Sequence, residues 1–377
     1  MTLVPITILP NNQRLPGLGQ HLTVLAFCFL GLTLNRNTAI IVAMNMFNQS
    51  VNRIGFACKI NESHDKAWPG LNTSTTTITW LNNQTRDKAV ERLWSILIKN
   101  TNAVYDQVRW LSKQPPHLRM MRISSDLLPA YTHDDWMWFY FEPGTVRELE
   151  ARFAKIGAAA RQHDVRLSFH PGQFCVLASE NPQIVENSLM EFEYHCDLIR
   201  YMGYGREFQD FKCNVHIGGK RGPDGIKAAM RKLSPEARNT LTIENAEFTW
   251  GLDASLELVD TCALVLDIHH HWIHSGEYIT PDDSRFKRVV DSWRGVRPVI
   301  HYSVSREDCL VDHDPTMKPD LKALKSMGFT SAKLRAHSEY YWNTACNDWA
   351  LQFLPHADIM CESKQKNLAS FKLAEQL

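Results

Sequence analysis

Short apolar runs alternate with segments of helical apolar spacing along most of this chain. Residues 53–59 (RIGFACK) read as a first strand, apolar at alternate positions. A Thr- and Asn-rich loop over 61–79 leads into 86–111, where apolar residues recur at the spacing of one helix face. Pro115 and Pro116 close that segment. The alternation then repeats, with a strand over 118–123 and a helix over 145–163. A strand over 165–169 precedes a helix over 181–201, where Asn181 suits the N-cap and Pro182 the first helical position. Next come a strand over 212–217, a helix near 225–233, a strand over 240–244 and a short helix over 253–259. A strand over 263–267 and a helix over 282–293 follow. The series ends with strands over 298–302 and 357–361 and a helix from 364 to the C-terminus.

Eight β/α units predict an α/β fold, a TIM-type (β/α)8 barrel in preference to an open sheet. Several strands are continuous apolar runs, as buried parallel strands are. Residues 51–377 are expected to form the single barrel domain. The stretch 303–354 is too long for an ordinary loop and carries its own charged helix near 318–327, so it reads as an insertion over one barrel face. Residues 1–50 do not follow the pattern. The apolar stretch 22–34 falls short of the ~20 residues needed to span a bilayer, and only Arg14 precedes it as a basic residue. We read the segment as an extension, with Met44 or Met46 as alternative starts.

Once the elements are laid out, seven metal-capable side chains fall at strand ends, in chain order. They are His170, His216, Glu244, Asp267, His270, His301 and Glu362, from RLSFH, CNVHI, LTIE, LVLD with the following IHH, PVIH and DIMCE. In a barrel these ends open onto one face, where active sites lie. His and carboxylate suit zinc- or manganese-like ions, and a centre with so many ligands suits phosphodiester hydrolysis. A carboxylate closing an apolar strand, as Glu244 does, is costly unless paired or metal-bound. His269 and His271 compete with His270 for the ligand role, and one of them could instead orient a ligand by hydrogen bonding. Gly218 and Gly219 beside His216 permit close backbone approach. Phe56 and Phe174 each lie within two residues of a glycine near a strand end, where an apolar wedge could enter a base stack.

Composition narrows the alternatives. The 377 residues are 44% apolar, with 11 Trp and 17 Phe, so a large core is affordable. Lys plus Arg equals Asp plus Glu, at 41 each, so any basic footprint for nucleic acid must be local. Nine cysteines without a CxxC pair read as reduced core thiols of a cytoplasmic protein. There is no GxGxxG after a strand, no Walker loop, no GxSxG elbow and no HExxH helix, so no organic cofactor is expected.

Taken together, RIGFAC, TTTITWL, RISSDLLP, SFHPGQFCVLAS, NVHIGG, IENAEFTW, LDIHHHW, VIHYS, RAHSEYY and DIMCESKQK resemble the UV damage endonuclease family. That family is related to the endonuclease IV and xylose isomerase barrels, and the resemblance covers roughly residues 53–375. It implies a repair endonuclease that nicks damaged double-stranded DNA immediately 5′ to a UV photoproduct. It also implies divalent metal ions, manganese first, with zinc and magnesium as alternatives. Metal ligation is carried onto the seven strand-end residues and onto His337 from RAHSEYY, and more loosely onto His133 in the loop after RISSDLLP. Gln173 and Phe174 match lesion-probing positions, and Phe56 a second one. The family often has a modified lysine two residues before the strand-seven histidine, where this chain has Val299.

Lys220, Arg221, Arg122 and Lys333 are candidates for phosphate contacts. A monomer is expected, cytoplasmic and nucleoid-associated if prokaryotic, with no membrane partner. Two other readings remain open. One is an abasic-site endonuclease or a sugar isomerase on the same barrel. The other is a damage-binding protein without activity, for which Val299 is the motive.

Overall fold

The computed structural model describes residues 51–377; the extension and its alternative starts at Met44 and Met46 lie outside the described residues. Val51–Leu377 forms one compact unit. Its strands are β1 (Ile54–Cys58), a small hairpin of β2 (Asn61–Ser63) and β3 (Lys66–Ala67), β4 (Met120–Ile123), β5 (Arg166–Phe169), β6 (Lys212–His216), β7 (Leu241–Glu244), β8 (Ala263–Val265), β9 (Val299–Tyr302) and β10 (Asp358–Cys361). Eight of them form a parallel sheet in the order β8-β7-β6-β5-β4-β1-β10-β9. The two edges meet through a parallel bridge between Asp267 and His301, where His301 N donates to Leu266 O at 3.0 Å. The sheet thereby closes into the expected α/β barrel.

Alternate residues of each strand face the barrel interior, which is filled in layers. At the N-terminal end, buried Asp358 accepts from Arg53 N at 2.9 Å and lies 2.6 Å from both Arg166 Nη1 and Arg297 Nε. Above this charged plug Met120, Ala263, Val265, Trp293, Val299 and Met360 pack together. Gly55 is required there, because a Cβ at that position would lie 2.7 Å from the Met120 carbonyl oxygen. The third layer, at the C-terminal end, is polar and forms the candidate site.

The outer helices follow the apolar pattern. The helix expected over 86–111 spans Arg86–Leu111, and the one expected over 181–201 spans Pro182–Tyr201, with the Asn181 side chain accepting from Gln183 N. Three regions differ. The loop over 61–79 contains the β2–β3 hairpin and starts helix Ile78–Asn82. The sixth barrel strand stops at Val265, and Asp267 instead caps a helix, Ile268–Ser275, that the sequence reading left out. Three histidines and a tryptophan in succession obscured its periodicity. The 303–354 stretch folds as short helices at Leu321–Ser326, Ser331–Leu334 and Thr344–Leu351. No described helix is long and apolar enough to cross a membrane.

Candidate metal centre

His170 leaves β5, His216 and Glu244 end β6 and β7, His301 lies on β9, and Glu362 follows β10. Their side chains converge with those of Asp267 and His270 in overlapping groups whose potential ligand atoms lie within 4.8 Å of one another. The groups are His170/His216/Glu244, Glu244/Asp267/His270 and Asp267/His301/Glu362. Glu244 is the hub. Its oxygens lie 3.4 Å from His170 Nε2, 4.0 Å from His216 Nδ1, 3.3 Å from His270 Nδ1 and 3.1 Å from His301 Nδ1. His337 approaches from the inserted stretch, its Nε2 4.0 Å from Glu362 Oε2, held by an antiparallel bridge between Ser305 and His337. The competition among the three successive histidines is decided by helix geometry. His269 Nε2 bonds the Leu334 carbonyl oxygen and His271 Nε2 pairs with Glu277, so His270 faces the cluster. His133 is not brought to these groups. Its Nδ1 accepts from Asp135 N at 3.2 Å, and its side chain is 39% exposed.

The electrostatics fit a cation. Glu244 Oε1, Asp267 Oδ2 and His301 Nδ1 are buried and make no hydrogen bond, which is costly for polar atoms unless a partner arrives. Burial holds His216 and His301 down to about 4, so both imidazoles are neutral and keep a lone pair at neutral pH. Burial opposes ionisation of Glu244, yet His301, His216, His170 and His270 together hold its carboxyl well below the usual range. Burial pushes Asp267 well up. His270 rises to about 10 despite its burial, because Asp267 and Glu244 favour its cation. Without a metal this pair therefore retains a proton.

Several supporting residues escaped the sequence reading. Asn214 donates through Nδ2 to Glu244 Oε2 and accepts through Oδ1 from Thr242 Oγ1 at 2.7 Å. The Asn245 amide bonds both the backbone N–H and carbonyl of Asp267, at 2.9 and 3.0 Å. Lys212 Nζ lies 2.8 Å from His301 Nε2. A signal existed for two of them: Lys212, Asn214 and His216 recur with period two on one strand and so share the interior face.

A family model described as UV-endonuclease UvdE matches residues 52–377. The chain belongs to that family. The UV DNA damage endonuclease of Bacillus cereus (strain G9842) is 26% identical over 333 residues, spanning 84% of this chain and 92% of the relative. That of Bacillus pumilus (strain SAFR-032) is 29% identical over 202 residues, 50% of this chain and 59% of the relative. A solved structure, SacUVDE, superposes with a TM-score of 0.63 at 23% identity over 86% of this chain and 97% of its own, which supports the barrel fold. Membership in the UvdE family makes the chain a DNA-repair endonuclease by class.

The remaining UvdE-motif residues divide. Phe174 is 84% exposed and Gln173 beside it is exposed, on the loop after β5. Phe56 does not join them, which corrects the expectation of a second wedge. It is 0% exposed and packs edge-on against Trp110 and Phe371, with centroids at 6.4 and 6.0 Å. Its place in β1 aims it outward, under the surrounding helices. Arg122 is tied to Glu362, so it orients a cluster carboxylate rather than reaching out to phosphate. Lys220, 82% exposed, pairs with Glu180 at 3.0 Å, and Arg221 is exposed near it. Lys333 is exposed and lies over the Phe329 ring. Gly219 at φ +88° lets this loop pass the Ala178 backbone, where a Cβ would come within 2.3 Å of the carbonyl oxygen.

Proposed function

We propose that this chain nicks double-stranded DNA immediately 5′ to UV photoproducts, using a cluster of divalent cations, manganese by preference, held by His170, His216, Glu244, Asp267, His270, His301, Glu362 and His337. The observation that carries the reading is the convergence of His170, His216, Asp267, His270, His301 and Glu362 with Glu244 in overlapping groups with buried, unbonded ligand atoms. Divalent cations bound there supply polarisation of the scissile phosphate and a hydroxide source near neutral pH.

The chain's own residues do the rest. Glu244 and Asp267, each shared between two groups, fix the spacing of neighbouring ligand sets. Arg122 holds Glu362 in place, and Asn214 holds Glu244. Gln173 and Phe174 insert where a lesion has weakened stacking. Selectivity then arises from the low cost of deforming damaged DNA rather than from reading base edges. Lys220 and Arg221, on the loop after β6, contact phosphates beside them.

The test is a 5′-labelled, UV-irradiated duplex incubated with protein and Mn²⁺, with and without EDTA. A cut one bond 5′ to the dipyrimidine, lost in EDTA and in His216→Ala, is expected. Retardation of the irradiated duplex without cutting would point to a damage-binding protein. Neither binding nor cutting would return a small-molecule enzyme on the same barrel to first place.

A further inference from the structure

Phe248 is a large apolar side chain that the barrel core does not use. It stands on the loop after β7, four residues beyond Glu244, and is 48% exposed. Ala246 N donates to Trp250 O at 2.9 Å and closes that loop, so residues 247–249 form its tip. Phe174 has the same setting on the loop after β5. There Cys175 N donates to Gly172 O at 2.9 Å and leaves Gln173 and Phe174 at the tip. Each tip follows a strand that delivers a member of the metal-capable cluster, His170 in one case and Glu244 in the other.

The two tips are tied together through the loop after β6. Arg221 N donates to Ala178 O at 3.0 Å, on the Phe174 side. Trp250 Nε1 donates to Gly219 O at 2.7 Å, on the Phe248 side. Trp250 also lies tight against Gly222, where a Cβ would come within 2.6 Å of its ring. Lys220 and Arg221, the cations assigned to phosphates, belong to this connecting loop.

The ring of Phe248 is held from one side. Arg335, two residues before His337, lies over it at 5.1 Å from the centroid and pairs through Nη1 with Glu247 Oε1. Burial opposes ionisation of Glu247, but His270 and Arg335 favour it and hold its carboxyl below the usual range, so the loop tip lies beside the cluster. No other ring among the described residues packs against Phe248. Single exposed apolar residues are ordinary. An exposed ring on a braced loop, backed by an arginine and set beside a nuclease centre, is a stacking platform.

We propose that Phe248 is a specificity-determining residue for damaged duplex: its ring, with Arg335 over one face, stacks a nucleobase that the lesion has freed. The proposal rests on the damaged-DNA reading above. It adds a second base contact on the far side of the Lys220–Arg221 loop from Phe174. It assigns Phe248 no contact with the cations or the scissile bond.

The experiment measures retardation of a UV-irradiated duplex and of the same duplex undamaged, with the full chain. Phe248→Ala should weaken binding of the irradiated duplex about 5- to 150-fold, the equivalent of one lost stacking contact. Binding of the undamaged duplex and the unfolding midpoint should be maintained. Phe248→Tyr retains the ring and should bind as wild type does. Phe248→Leu retains apolar bulk without a π face and should behave like the alanine variant; it also decides the matter if Phe248→Ala fails to fold. Wild-type binding in a folded Phe248→Leu, or an equal loss on both duplexes, would overturn the proposal while leaving the damaged-DNA reading intact. Failure of the wild-type protein to prefer the irradiated duplex would remove that reading, and the proposal with it.

Discussion

Asp267 and His301 form the parallel bridge that closes the barrel between β8 and β9, and their side chains belong to the same metal-capable group. Closure of the fold and assembly of the site therefore share one backbone contact. Asp267 has a further task, since its Oδ1 accepts from His270 N at 2.7 Å and caps the helix that presents His270. Asp267→Asn and Asp267→Ala should both lose cation-dependent cutting, but only the alanine loses the cap. Thermal unfolding should show the alanine variant less stable by about 1 kcal/mol than the asparagine variant. Equal midpoints would mean that the cap carries no weight here.

The buried histidines predict how the metal-free protein responds to acid. His216 and His301 sit at about 4 in the fold, against 6.5 for an ordinary histidine. Between those values the unfolded chain binds more protons, so their contribution to stability is present above about pH 6.5 and is lost progressively toward pH 4. Urea unfolding at pH 7.5, 6 and 5 should show this decline, and His216→Gln should flatten it. A decline of the same slope in that variant would assign the acid sensitivity to other groups.

His270 gives the opposite sign. With its pKa raised to about 10, it is protonated at pH 8 beside Asp267 and Glu244. A cation that this ring ligates must displace a proton from it, so binding at pH 8 should release about one proton. Titration calorimetry in buffers of different ionisation enthalpy measures the number directly. A result near zero would show that His270 is already neutral in the metal-free protein.

Phe174 and Phe56 should part company on mutation. Phe174 is 84% exposed, so Phe174→Ala should leave stability within about 0.5 kcal/mol of wild type. Loss of one base-stacking contact should nonetheless weaken binding of irradiated duplex by about 1–3 kcal/mol. Phe56→Ala empties a core position against Trp110 and Phe371 and should cost about 3–5 kcal/mol of stability. The two measurements are unfolding midpoints and gel retardation of irradiated duplex. A stable Phe56→Ala with weakened DNA binding would reinstate the second wedge.

The sequence by itself determined the barrel and most of its centre. Short apolar strand runs alternating with helical spacing marked the eight units, and a parallel barrel can place the C-terminal ends of its strands on only one face. That is why His170, His216, Glu244, His301 and Glu362 could be brought together from residues almost two hundred positions apart. Tertiary structure decided what short-range pattern leaves degenerate. Phe56 and Phe174 carry the same glycine-adjacent signature, but Phe56 shares the outward face of β1 with Ile54 and is covered by helices, whereas Phe174 stands on a loop. Helix geometry points three successive histidines in different directions, so His270 alone of the three joins the cluster. The reach of Lys212 to His301 depends on burial across the barrel axis, between residues that no local periodicity connects.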